Sequence, residues 1–285
     1  MPSLRRHKLT PLERVLASPR LTCRDKEVLF TIGRLRLVTP RLLAEVFLPC
    51  YPEASALVII RRRLKVLLDL GLIDRWRPRL APGKGTAEYV ILLTSLGKEF
   101  LQFFSGYTCR IGSPSQPLGI VQSTMHTYEV STRLYLPILR ATRQRQLQLR
   151  EYAVEDGLHC PDVPACNKPR IRLFPDLTLK LGTPDDESDF YLCFEWDRGT
   201  MTVKQLLQKL DRYDRFCRTT RWAPVCAFVT TSWHRVLTVA KAITHCSPPL
   251  QVPWHLTAIE DFERNPLGRI WVRPGALDTA VPLPV

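Results

Sequence analysis

Phe174-Pro-Asp-Leu-Thr-Leu-Lys-Leu181 and Phe190-Tyr-Leu-Cys-Phe-Glu-Trp-Asp-Arg-Gly-Thr200 contain two apolar runs of strand length, separated by the turn-forming segment Gly182 to Asp189. Together they predict a β-hairpin. Asp176 opens the first run, and Glu195 and Asp197 close the second. Antiparallel pairing sets the start of one strand beside the end of its partner, so all three carboxylates are expected at one end of one sheet. Acids gathered in that way need a counter-charge, and a divalent cation with oxygen ligands supplies one. A helix should follow at once: Val203, Leu206, Leu207, Leu210, Tyr213 and Phe216 recur at helical spacing behind Thr200 or Thr202 as N-cap.

On either side of the hairpin the pattern continues. Leu147 to Val154 alternates as a first strand. Thr124 to Gln144 reads as a helix that Pro137 should kink or stop. Ala223 to Thr230 is almost continuously apolar, as in a strand buried on both faces. His234 to His245 is a helix and Trp254 to Ile259 a strand. The order helix, three strands, helix, strand, helix, strand implies an α/β fold with a mixed sheet and helices on both faces. This region is expected to span 121–262, with 263–285, rich in proline, as an irregular C-terminal tail. His159, Cys160 and Cys166 fall in the loop from Glu155 to Arg170, but not at the Cys-x₂-Cys spacing of a zinc site, so a loop is the expectation there.

Residues 1–110 read as a separate domain, and Ile111 to Ile120 as a linker. Arg24 to Arg36 is a helix capped by Thr22. Thr39 caps a shorter helix with Pro40 at its first position. Pro52 to Leu70 is a third helix ended by Gly71. Two short strands, Leu72 to Arg77 and Glu88 to Leu93, flank a basic loop, and a helix over Ser95 to Phe104 follows Thr94. Three helices followed by a two-stranded wing make a winged helix-turn-helix pattern, in which the later helix enters the major groove of DNA. The residues expected to meet DNA are Ser55, Arg61, Arg62, Arg63 and Lys65 on that helix, with Arg77, Arg79 and Lys84 on or beside the wing.

Charge agrees with that division. The chain carries a formal net charge of +14, and residues 1–110 hold 20 Lys+Arg against 9 Asp+Glu. A basic first third joined to a nearly balanced remainder points to a polyanion, most simply double-stranded DNA. No apolar run is long enough to cross a membrane, and the N-terminus lacks the apolar core of a secretory signal. Nine scattered cysteines suit free thiols in a reducing cytoplasm. The six histidines never fall two apart, so the His-x-His metal motif of tyrosine relaxases is missing. No Gly-x-x-x-x-Gly-Lys-Ser/Thr phosphate loop occurs, so ATP-driven work is not expected.

Two resemblances follow. Pro175-Asp176…Glu195-x-Asp197 resembles the PD-(D/E)XK signature of the restriction-endonuclease-like fold. That likeness implies magnesium on Asp176 and Glu195, with a lysine placing the attacking water. Here Asp197 stands where the lysine is expected, so Lys204 or Lys209 on the following helix would supply the cation, and Glu129 a further acid. The stretch Glu195, Asp197, Arg198, Gly199, Thr200, Lys209, Leu210 and Tyr213, behind a winged helix, is also similar to the replication-relaxation family of bacterial plasmids and mobile elements. What this resemblance implies is a DNA role in plasmid replication or relaxation, alongside other plasmid replication or mobilisation proteins. Metal-dependent DNA nicking through Asp176, Glu195, Asp197 and Lys209 is the enzymatic expectation. The alternative is a non-catalytic DNA-binding initiator or transcriptional regulator on a degenerate nuclease fold. The same acids have structural uses: Asp197 capping the helix that Gly199 and Thr200 introduce or pairing with Arg198, and Asp176 bonding a turn amide.

Overall fold

The computed structural model describes residues 9–77, 88–106, 119–156, 173–184, 189–246 and 248–284, without the side chains of 119–123. Contacts divide the chain into two compact units, Met1–Ile120 and Val121–Val285.

In the first unit, Thr10 opens a short helix, α1 (Pro11–Leu16), through a capping box with Glu13. Helix α2 (Cys23–Leu35) begins with a second such box, Thr22 with Asp25. Thr39 caps α3 (Pro40–Phe47), with proline where its missing N–H costs nothing. The longer α4 (Glu53–Asp69) turns off at Gly71, whose φ of +70° suits a residue without a Cβ. Strands β1 (Ile73–Trp76) and β2 (Val90–Leu93) pair antiparallel, and Val38 bridges Ile91 on the far side of β2. Helix α5 (Ser95–Ser105), capped by Thr94, closes the unit. Its core is Val28, Leu29 and Ile32 from α2, Leu42 and Leu43 from α3, Ile60, Leu64 and Leu67 from α4, and Phe100 and Leu101 from α5, all buried.

One long helical run, beginning two residues before the division, leads the second unit. It comprises α6 (Gly119–Glu129), a π-helical turn (Val130–Tyr135) and α7 (Leu136–Gln144). Pro137 was expected to kink or stop this helix. Instead the wider turn directly before it absorbs the missing N–H donor, and the run continues. Strands β3 (Gln148–Val154), β4 (Leu177–Gly182) and β5 (Asp189–Asp197) form an antiparallel meander. Helix α8 (Val203–Thr220), capped by Thr202, leads to β6 (Val225–Thr230), and α9 (Trp233–Thr244) to β7 (Trp254–Ala258). Strands β5, β6 and β7 are parallel. Helix α10 (Ile259–Arg264) precedes β8 (Trp271–Arg273) and β9 (Ala276–Val281). All seven strands make one mixed sheet in which spatial order equals chain order.

The segment 263–285 is therefore not the irregular tail that its prolines suggested. It supplies two strands to the sheet and buries Trp271 against Phe194 and Phe262. Pro274 and Pro282 flank β9 rather than interrupt it, which is where strand-edge proline is tolerated.

The two faces of the sheet are covered differently. Leu206, Leu210, Tyr213 and Phe216 of α8, with Val236, Val239 and Ala240 of α9, pack on Cys193, Cys226, Phe228, Trp254 and Leu256. Side chains alternate along a strand, so Phe194 points the other way and meets Phe262 of α10 and Trp271.

Candidate functional site

The hairpin register brings the first two acids together. Leu177 of β4 pairs with Phe194 of β5, and one step further along the same antiparallel register Asp176 lies beside Glu195. Asp176 Oδ2 accepts the Trp196 backbone N–H at 2.8 Å, and the Asp176 carbonyl accepts the Glu155 N–H at 3.0 Å. The carboxyl is thus fixed across the hairpin that creates it.

Helix α8 supplies the counter-charge. Lys209 and Tyr213 are four residues apart and so lie on one helix face, and both reach Glu195. The Lys209 ammonium donates to Oε2 and the Tyr213 hydroxyl to Oε1. Lys209 Nζ is also 3.7 Å from Asp176 Oδ2, so the two carboxylates converge on one ammonium. From α6, His126 Nε2 comes within 3.1 Å of Asp176 Oδ1.

Burial sets the electrostatics. Glu195 is fully enclosed, which together with the Asp176 charge pushes its carboxyl up to about 8, against the pull of Lys209. Burial would raise Asp176 as well, but the Lys209 charge and the His126 contact outweigh it and hold that carboxyl well below the usual range. Burial disfavours the Lys209 ammonium, yet Glu195 and Asp176 more than compensate and its affinity for the proton rises. His126 is raised in the same way, burial being outweighed by Asp176 and then Glu155. One acid is therefore firmly ionised, and its neighbour is poised near neutrality beside a fixed cation. Such divergence within one cluster is characteristic of reactive sites.

Asp197 does not join them. Strand β4 begins at Leu177, so Asp197 runs past the end of the hairpin and pairs only with Thr230 of β6. Its Oδ1 accepts the Gly199 N–H at 2.9 Å, and its Oδ2 takes the Arg235 Nε–H at 2.6 Å. Asp197 was expected to cap the next helix, but Thr202 holds that position and Asp197 caps only the turn before it; the ion partner is Arg235 of α9, not Arg198. Arg198 pairs instead with Glu129 at 3.0 Å, and Glu129 also accepts from Trp196 Nε1 at 2.9 Å. Glu129 is thus committed to neighbours on the opposite face. Lys204 is exposed on the first turn of α8, and Lys209 is the lysine that reaches the acids.

In the first unit, the outward face of α4 presents Ser55, Arg61, Arg62 and Lys65, all exposed. Arg63 does not belong with them. It turns into the unit, where Nε donates to Asp25 Oδ1 at 2.8 Å, Nη2 donates to Asp25 Oδ2, and Nη2 also reaches the Arg20 carbonyl at 3.0 Å. A position flanking the buried stripe of the helix sends its guanidinium inward to a buried acid. Arg77 lies over the Tyr89 ring, 4.0 Å from its centroid. Arg79 and Lys84 lie outside the described residues, as do His159, Cys160 and Cys166.

Sequence reasoning missed the Tyr213 hydroxyl on Glu195, since that residue read only as part of an apolar stripe and a family stretch, and it missed His126 and Arg235 altogether. Neither stands in a motif, and each lies far along the chain from the acid it meets. Among the described residues no group of three or more His, Cys, Asp or Glu side chains is arranged to hold a metal ion. Nor is any helix long and apolar enough to cross a membrane.

Nothing among the curated proteins or the solved structures matches the chain. The family model described as replication-relaxation matches residues 29–231, which include His126, Asp176, Glu195, Lys209 and Tyr213, and the chain belongs to that family.

Proposed function

We propose that this is a DNA-binding protein of plasmid replication or relaxation whose first unit is a winged-helix reader and whose second is a nuclease-like domain that nicks DNA. Family membership points to plasmid replication or relaxation. Support for DNA as the partner comes from the +14 net charge and the exposed cations of α4. The observation that carries the nuclease reading is the convergence of Asp176 and Glu195 on Lys209 at the end of β5.

The donor set suits a magnesium ion of the substrate-held kind, for which two carboxylates suffice when water and phosphate complete the shell. Asp176 and Glu195 already direct oxygens at a single cation, here the Lys209 ammonium. When bound, such an ion would polarise a phosphate and lower the pKa of a water. The protein's own groups have separate tasks. Lys209 and then His126 keep Asp176 ionised, and the Trp196 N–H fixes its orientation. Tyr213 orients Glu195, whose raised carboxyl can hold or release a proton near neutral pH. Lys209, displaced from between the acids, would face a phosphate with its charge intact. The test is nicking of supercoiled plasmid by the purified chain with Mg²⁺ or Mn²⁺. Asp176→Ala and Glu195→Ala should each abolish it, and nicking that survives either change rules this site out.

One observation favours a second reading, a non-catalytic DNA-binding initiator or regulator. All four oxygens of Asp176 and Glu195 already have protein partners: His126, Trp196 N–H, Tyr213 and Lys209. In that case the cluster is scaffold, and salt-sensitive plasmid binding without cleavage is expected at every metal concentration.

A further inference from the structure

The outward face of α4 changes character along its length. Its first two turns present Ala54, Ser55 and Val58, small or uncharged side chains that are all exposed. The next two present Arg61, Arg62 and Lys65, exposed and in no ion pair among the described residues. At 100° per residue, Val58 falls almost opposite the buried line Ala56, Ile60, Leu64 and Leu67. It is 46 % exposed. A single exposed valine is ordinary. What directs this one is its setting, on the outermost line of a helix between an exposed hydroxyl and three uncommitted cations, in a region that holds 20 Lys+Arg against 9 Asp+Glu.

A polyanion that neutralised Arg61, Arg62 and Lys65 would bring the first two turns of α4 against whatever lies between its charges. In duplex DNA that is the floor of the major groove, where thymine alone offers a methyl group and every base pair offers hydrogen-bonding edges. We infer that base selection resides in the first two turns of α4: Val58 packs on a thymine methyl, and Ser55 hydrogen-bonds a neighbouring base edge. Arg61, Arg62 and Lys65 serve the phosphates and carry affinity rather than sequence. Arg63, turned in to Asp25, is counted in neither set. This assignment rests on the DNA-reading role proposed for the first unit.

The experiment uses the full chain and a randomised duplex library. Bound duplexes are selected, and each thymine of the enriched sequence is then replaced in turn by 2′-deoxyuridine, which removes only the methyl. At one position the wild type should lose about four-fold in affinity, the effect of exposing one methyl group. Val58→Ala, a change at an exposed site, should bind the thymine and deoxyuridine duplexes equally. Arg62→Ala should weaken all duplexes alike and lower the salt slope by about one. Three results would overturn the base-reading role while leaving DNA binding intact: a library that enriches no sequence, no position sensitive to methyl loss, or a sensitivity that survives in Val58→Ala. No binding to any duplex at low salt would overturn the reader assignment itself.

Discussion

Two buried clusters of charge, one in each unit, are built to opposite rules. In the first, Asp25 meets Arg63, one acid against one base. Thr22 N–H and the Thr22 hydroxyl, each at 2.7 Å, complete the shell of the carboxylate. In the second, Asp176 and Glu195 face the single ammonium of Lys209, and among the described residues the surplus negative charge is met by a proton on Glu195 or by His126. A pair whose charges balance locks elements together; an unbalanced one leaves a charge that an incoming cation or a reacting group can answer. Asp197 with Arg235 is a matched pair within the second unit, only two residues along β5 from the unmatched one. The difference lies in the stoichiometry of the partners, not in depth of burial, since Asp25, Glu195 and Asp197 are all fully buried.

The largest effect should come from breaking a matched pair. Arg63→Ala strands a buried carboxylate and should cost about 3 kcal/mol of unfolding free energy. Arg62→Ala, one position away but exposed, should stay within about 0.5 kcal/mol. Denaturant unfolding of the two variants decides the matter. Equal stability would mean that Asp25 has found water and that the pairing is not structural. Asp197→Ala should lose a similar amount, about 3 kcal/mol, while the folded fraction keeps whatever nicking rate the wild type has. A variant of normal stability that cannot nick would return Asp197 to the reacting groups.

Removing a charge from the unmatched cluster should do the reverse. The Glu195 carboxyl is raised from 4.5 to about 8 by burial and then by Asp176. Between those values the folded chain holds a proton that the unfolded chain has released, so stability falls as pH rises through that window. Asp176 is shifted down, and the stability it contributes is lost only as pH falls below the ordinary carboxylate range, outside the same window. Glu195→Gln should therefore melt higher than the wild type at pH 8.5, by about 1 kcal/mol, with the gap closing toward pH 5. Melting midpoints at three pH values test this, and a gap that ignores pH would show that Glu195 is not the group that titrates.

The contrast also explains what could be read beforehand. The Asp176–Glu195 neighbourhood was legible because hairpin register follows from two apolar runs and one turn. Lys209 was legible only as one of two candidate lysines, and Tyr213 only as part of the apolar stripe of α8 and of the family stretch, not as a partner of Glu195. The matched pairs were not, since both Asp25–Arg63 and Asp197–Arg235 join residues 38 apart on elements whose meeting no periodicity encodes. His126 stayed hidden for the same reason, fifty positions before the acid it touches. Arg63 was assigned to DNA because charge and helical angle do not say which way a long side chain at the flank of a stripe will turn. Strand β8 has three residues, too short for an alternating pattern, and it becomes a strand only because β7 and β9 are there to pair with it.

The difference between two helix caps tests the comparison most finely. Helices α2 and α8 start with the same device, a threonine that accepts the N–H of the residue three later while that residue's side chain reaches back. In α8 the returning group is Gln205, neutral and exposed, so Thr202→Ala should cost an ordinary cap, about 1 kcal/mol. In α2 the returning group is Asp25, the buried half of the matched pair, which takes a hydrogen bond from the Thr22 hydroxyl at 2.7 Å. Thr22→Ala removes the cap and also one of the donors that keep that carboxylate ionised, so it should cost nearer 2 kcal/mol. Lowering the pH should narrow the difference, because protonated Asp25 no longer needs a full set of donors. Burial would raise that acid, but Arg63 and Thr22 hold it below its ordinary range, so the narrowing belongs below pH 4 in the wild type and begins at higher pH once Thr22 is gone. Equal costs for the two threonines at every pH would mean that the matched cluster draws nothing from the Thr22 hydroxyl, leaving the Arg63 guanidinium and the backbone N–H of residue 22 to hold Asp25 ionised.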